Sequence, residues 1–365
     1  MAGPAESSPQ IPSRRTVIKG LVGLTLTLGS AGCTPASSSS ATSTPTHTPP
    51  IPSPTPTMPT PSAFPTSIPI TVNRPLLTYR GHTSAVYAVV WHGMRIVSGS
   101  EDRTAQVWNA ATGSHLLTYT GHTDQVIAAA WSPDSSRIVS SSIDRTAQVW
   151  DAVTGNSILT YRGHYGAVTD VEWSPDSTRI ASASLDSTAQ VWNAATGKQL
   201  LTFSGNNTQV LQVGWSPDSK RIVSAGENGP VLVWDAVTGN TIFSYTGHGR
   251  AVITARWSPD GRRIASGGDD GTAQVWDATT GDHVLIYRGH SGSGSVIDLA
   301  WSPDGKYLAS SSDDRTVQVW NSVTGQPYLI YRGHDATNYQ LAWSPDGRRL
   351  ASGSADETVQ IFQVL

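Results

Sequence analysis

The chain has 365 residues, 38% of them hydrophobic and only 14% charged, with 34 Gly, 23 Pro, 13 Trp and a single Cys. That apolar content excludes a wholly disordered chain, and one cysteine excludes a disulfide-stapled miniprotein. Lys and Arg number 24 against 27 Asp and Glu, so no basic surplus marks nucleic acid or anionic lipid as a partner.

The first segment, residues 1–33, starts charged with Arg14, Arg15 and Lys19 and continues as an uncharged, moderately apolar run from Gly20 to Cys33. The run is short for a bilayer span and fits a removable export signal. Ser13-Arg14-Arg15-Thr16-Val17-Ile18-Lys19 resembles the twin-arginine signal that sends folded bacterial proteins across a membrane. The segment ends on Ser30-Ala31-Gly32-Cys33, which is similar to the lipobox of bacterial lipoproteins and implies a lipid on Cys33. Ser30 stands where that pattern has an aliphatic residue, so the alternative is a secreted product. Residues 34–74 follow as a Ser/Thr/Pro-rich stalk; residues 34–73 hold 11 of the 23 prolines without one charge or glycine. Such a composition buries no core and predicts a disordered, extended spacer.

From Pro75 to Leu365 the chain repeats itself. One Trp series runs 91, 131, 173, 215, 257, 301, 343, and a second runs 108, 150, 192, 234, 276, 320 before Phe362 takes the seventh place. Steps of 42 residues dominate; the single step of 44 in the second series reflects an insertion at Gly292-Ser293-Gly294. Each unit reads as four short β-prone runs, separated by Ser-Pro-Asp, Asp-Ser-Thr and Ala-Thr-Gly turns. A lone four-stranded sheet of this kind leaves both faces open, so seven of them must pack around an axis.

Gly-His lies about 26 residues before Trp-Asp or Trp-Asn, with Ser-x-x-x-Asp between them, and the pattern recurs around the repeat. These residues resemble the WD-repeat β-propeller family. The resemblance implies an all-β, seven-bladed propeller of four-stranded antiparallel blades over residues 75–365, in which residues 76–80 supply the missing outer strand of the last blade. It further implies a structural hydrogen-bonded tetrad in each blade: His82, Ser98, Asp102 and Trp108; His122, Ser140, Asp144 and Trp150; His164, Ser182, Asp186 and Trp192; His248, Ser266, Asp270 and Trp276; His290, Ser310, Asp314 and Trp320; His334, Ser352 and Asp356, where Phe362 replaces the Trp. The fourth unit carries Asn206 and Asn228 in place of His and Asp, a paired change expected of residues that share a bond. A His, Ser and Asp set repeated in every blade suits packing rather than catalysis, which needs one site.

Function is therefore sought where the units differ. In the family the Gly-His loops and Asp turns share one end of the propeller, which receives protein partners. Four residues before the first Trp of each unit stand Tyr87, Ile127, Thr169, Leu211, Ile253, Ile297 and Tyr339, an apolar ring at that mouth of the channel. Ring closure brings Tyr339 beside Tyr87, and an exposed aromatic pair rimmed by Glu101, Arg103, Asp335 and Glu357 is expected to grip a protein or peptide, with Tyr165, which also falls outside the regular outer-strand tyrosines, as a further candidate. The leading expectation is a non-enzymatic, extracytoplasmic, membrane-tethered and monomeric scaffold with no cofactor, no metal and no nucleic-acid partner. Two alternatives stand beside it. One is an architectural role at the cell surface. The other is an enzyme or a glycan or small-molecule binder in the channel, where Asp170, Glu172, Gln212, Thr254, Arg256, Asp298 and Gln340 gather.

Overall fold

The computed structural model describes residues 68–365 with the exception of Asn228 and Ser293. Its regular structure is strand throughout. Seven antiparallel sheets of four strands are arranged in sequence order, and one of them carries a fifth strand. This is the seven-bladed β-propeller that the repeat predicts.

Blade three shows why the sequence folds in this way. Its inner strand Val168–Trp173 pairs with Arg179–Ser184, then Ala189–Asn193, then Gln199–Phe203 at the rim. The third strand, Ala-Gln-Val-Trp-Asn, is buried on both faces because the neighbouring blades cover both, so alternation is lost there. The outer strand keeps the exposed positions of a half-buried one, with only Phe203 fully covered. The core is accordingly a set of layers between blades. One layer joins Val191, Phe203 and Leu232 to Trp215 and Trp234.

Each rim aromatic acts across the gap to the next blade. Tyr79, on the last blade, stacks on Trp108 of the first at 4.5 Å with 4° between planes, and its hydroxyl donates to Gln106 Oε1 at 2.7 Å. Tyr119, Tyr161, Tyr245 and Tyr287 repeat the stack on Trp150, Trp192, Trp276 and Trp320. This packing explains the glycine of Gly-His. A Cβ on Gly81 would lie 2.3 Å from the Tyr79 hydroxyl oxygen, a contact no side chain could relieve without moving the stacked ring.

The ring closes as the sequence predicts. Leu77–Tyr79 pairs antiparallel with Val359–Gln363 and completes the seventh blade. One expectation about the stalk needs correction. Residues 70–72, placed by the sequence in the disordered spacer, form the strand Ile70–Val72, which pairs in parallel with the outer strand Pro327–Tyr331 of blade six. Blade six differs from the others where this strand lies. Tyr328 occupies the outer-strand position that is half-exposed Leu116 in blade one and Ile158 in blade two, and Val72, Tyr307 and Tyr328 pack against one core layer. The chain thus crosses from blade six to blade seven before the first repeat begins.

Candidate functional site

The tetrads account for most of the recurring polar residues. In six blades the His Nδ1 lies 2.7–3.1 Å from the Asp Oδ2 and the His Nε2 lies 2.7–2.8 Å from the Ser Oγ. The indole Nε1–H donates to the same Ser Oγ at 3.1–3.2 Å. The proton order follows from the donors available: indole to Ser, Ser to His Nε2, His Nδ1 to the carboxylate. Although this order matches a nucleophilic triad, each Ser is completely buried and its oxygen already receives the indole proton in five of these blades. No substrate reaches it. In blade seven Phe362 stacks on Tyr331 at 3.8 Å and leaves Ser352 bonded to His334 alone. In blade four Ser224 donates to Asn206 Oδ1 at 2.7 Å and accepts from Trp234, while Asn228 lies outside the described residues.

The apolar ring is assembled as predicted, but its exposure is the reverse of the expectation. Tyr87 and Tyr339 meet at 5.0 Å, yet both are 0% exposed. They form one buried cluster with Ile127, Ile297, Ala85 and Ala355, and Leu211 is likewise buried. Ile253 is partly covered, and Thr169 turns its hydroxyl onto the Val210 carbonyl at 2.8 Å. These residues fill the channel at the Gly-His end, so Tyr87, Tyr339, Ile127, Leu211 and Ile297 are not a grip for a partner. The physical reason is geometric: seven inner strands converge so tightly that two tyrosines and a few aliphatic chains close the gap between them.

What remains accessible at that end is loop. Tyr165 is 90% exposed, and no Phe, Trp or other Tyr is as open among the described residues. Arg103 and Asp335 are exposed, and Glu101 is partly covered, accepting from Ser84 Oγ at 2.6 Å. Arg103 holds φ at +70°, a conformation that costs a non-glycine residue about 1 kcal/mol.

At the opposite end the channel is a cup of about 580 Å³, with Pro175, Pro217, Pro259 and Pro303 of the Ser-Pro-Asp turns at its edge. Its inner belt stitches blade to blade. Asp170 accepts the Val213 N–H at 3.2 Å, Gln212 the Ala255 N–H at 2.6 Å, Asp298 the Leu341 N–H at 3.0 Å and Gln340 the Val89 N–H at 2.8 Å. Asp170 and Asp298 are therefore structural carboxylates, 2% and 1% exposed. One step further along the channel, blades three and five place Glu172 and Arg256 on either side of Gly214. A Cβ on Gly214 would come within 3.6 Å of Glu172 Oε2, which accepts the Trp215 N–H at 2.7 Å. Arg256 lies 3.8 Å from Asp298 and also feels Asp170 and Glu172. Burial pushes the Glu172 carboxyl up to about 7, against the pull of Arg256 and the Trp215 N–H, with Asp170 adding to the rise.

A feature the sequence reading missed surrounds this cup. Arg95, Arg137, Arg179, Arg221 and Arg263 each cover the first-series Trp of the next blade at 4.6–4.8 Å, and Arg349 covers Trp91 across the ring closure at 5.1 Å. The signal was present as an Arg six residues after the first-series Trp in the Ser-Pro-Asp units, with Tyr307 in its place in blade six; in blade one Arg95 follows the shorter His-Gly-Met turn, four residues after Trp91.

Among the described residues no group of three or more His, Cys, Asp or Glu is placed to hold a metal. Arg14, Arg15 and Cys33 lie outside the described residues. The family model described as WD domain, G-beta repeat matches residues 73–109, 113–151, 155–193, 197–235, 239–277, 281–321 and 325–363. No individual curated protein matches the chain.

Proposed function

Because the chain belongs to the WD-repeat family, we propose that it is a protein-interaction scaffold, without enzymatic activity of its own, exported by its twin-arginine segment and held at a membrane surface through Cys33. WD-repeat propellers are typically non-enzymatic scaffolds that bind protein partners. One observation supports the reading above the others: the recurring polar groups are bonded to one another inside the blades, which leaves chemical variety to the loops of the Gly-His end. There Tyr165 supplies an exposed aromatic anchor, and Arg103, Glu101 and Asp335 supply charge that differs from blade to blade.

The test has two arms. Fractionation of cells carrying the full chain is expected to place it in the membrane fraction with a diacylglyceryl-modified Cys33 peptide by mass spectrometry. Arg14→Lys with Arg15→Lys should retain the protein in the cytoplasm, and Cys33→Ala should release it. A wild-type protein found soluble in the cytoplasm ends the export reading. Capture by the intact chain is then compared with Tyr165→Ala and Arg103→Glu. A partner held by the wild type and weakened at least about tenfold by either variant locates the grip. Unchanged capture by both moves it off this face.

A further inference from the structure

The cup at the Ser-Pro-Asp end is a second site, at the opposite end of the propeller from the loops discussed above and independent of that reading. It is blind, because Tyr87, Tyr339, Ile127 and Ile297 fill the channel beyond it. Its volume of about 580 Å³ falls within the range of small-ligand sites. Its lining is asymmetric. Blades one, two, six and seven contribute Val90, Ala130, Ala300 and Ala342 at the position where blades three and five contribute Glu172 and Arg256.

The charges in the lining do not balance. Three carboxylates, Asp170, Glu172 and Asp298, share one guanidinium, Arg256, and among the described residues no other charged side chain lines the cup. Asp170 and Asp298 are occupied by backbone N–H groups. Glu172 uses Oε2 for the Trp215 N–H, and its Oε1 accepts no hydrogen bond among the described residues. An anion would meet an outnumbered Arg256. A sugar would need an open indole face, but Trp91, Trp215, Trp257, Trp301 and Trp343 of the lining are each at most 9% exposed, and all of these but Trp343 lie under arginines. Trp257 in this wall also keeps its Nε1–H without an acceptor, unlike Trp215 and Trp301, which donate to the Glu172 and Arg256 carbonyls at 3.2 Å. The chemistry that answers the unbalanced carboxylates and the alanine and valine wall is one positive charge on an apolar body.

We propose that the cup binds a small organic cation, a protonated amine on an aliphatic body, with Glu172 as its counter-ion and the alanine and valine wall of blades one, two, six and seven against its apolar part. The charged groups that act on Glu172 are Arg256 of blade five and Asp170 of its own strand, while Asp298 of blade six lies beside Arg256. Since Glu172 titrates at about 7, with burial the main cause, its charge is present above neutral pH and absent in mild acid. The amine stays protonated across that range, so binding should strengthen as pH rises through 7.

Calorimetric titration of the full chain with hexylammonium, hexanol and hexanoate tests this. Hexylammonium is expected to bind saturably at one site at pH 8, at least about tenfold more tightly than either other probe, and about tenfold more weakly at pH 5.5. Glu172→Gln should weaken it about tenfold while the chain still melts cooperatively. Ala130→Phe, which fills the apolar wall and leaves the charges in place, should also abolish binding. Absence of hexylammonium binding to the wild type, equal binding of hexanol or hexanoate, or unchanged binding in Glu172→Gln or in Ala130→Phe would each overturn the proposal.

Discussion

Asp102 shows how a single residue ties stability to pH. Burial alone would raise its carboxyl, but His82, Thr104 and the Thr83 N–H together hold it at about 2. The unfolded chain titrates near 4, so the bond is fully stabilising above that value and is lost as pH falls toward 2. The same direction holds for Asp144, Asp186, Asp270, Asp314 and Asp356. Melting temperature should therefore drop steeply between pH 4 and pH 2, and Asp102→Asn should cost about 1–3 kcal/mol at pH 7 in denaturant melts. Glu172 works in the opposite sense. Its folded value lies above its unfolded one, so it favours the folded state in mild acid and disfavours it as pH rises through 7. Glu172→Gln is expected to raise stability at pH 8 by the order of 1 kcal/mol and to do nothing at pH 4, which paired melts at the two pH values will check. The tetrads were legible through the resemblance to the WD-repeat family, whose His, Ser, Asp and Trp positions recur in this sequence from blade to blade. The burial of Tyr87 and Tyr339 was not, because sequence gives the residues around a channel but not its width.

Among the strands, the two at the N-terminal side of the propeller have unequal duties. Leu77–Tyr79 completes blade seven and carries the Tyr79 stack on Trp108, whereas Ile70–Val72 adds three paired residues to an edge already complete. A chain starting at Asn73 should lose about 1–2 kcal/mol and keep a single sharp transition. A chain starting at Gly81 should lose cooperative melting, since blade seven is then left one strand short at the seam. Calorimetry on both truncations separates the two, and equal melting would deny the closing strand its role. The closing strand was readable through the family resemblance, which implies that each unit starts with the outer strand of the preceding blade and so leaves the last blade without one. The added strand was not. Its three residues follow a proline-rich run, repeat nowhere else, and pair with Leu329–Tyr331 of a distant unit, where Val72 packs on the same cluster as Tyr307 and Tyr328.

For the molecule as a whole, blades that touch only their neighbours make stability close to a sum of blade and interface contributions. Blade four is the weakest member by that account. Asn206 replaces the His that bridges Asp and Ser elsewhere, and its Nδ2 finds no partner among the described residues. Hydrogen exchange should find amides of Val210–Trp215 and Arg221–Gly226 the least protected among the inner strand pairs, and uniform protection around the ring would contradict this ranking. The seam between the last and first blades is better secured, by Gln340 on the Val89 N–H, Arg349 over Trp91 and the Tyr87–Tyr339 contact. The parallel strand on blade six has a mechanical consequence here. Tension applied through the residues ahead of Ile70 reaches the rim of blade six first, and the hydrogen bonds of Ile70–Val72 must shear before any load arrives at the strand that closes the ring. Those three residues act as a fuse, yielding at low force while the propeller stays shut.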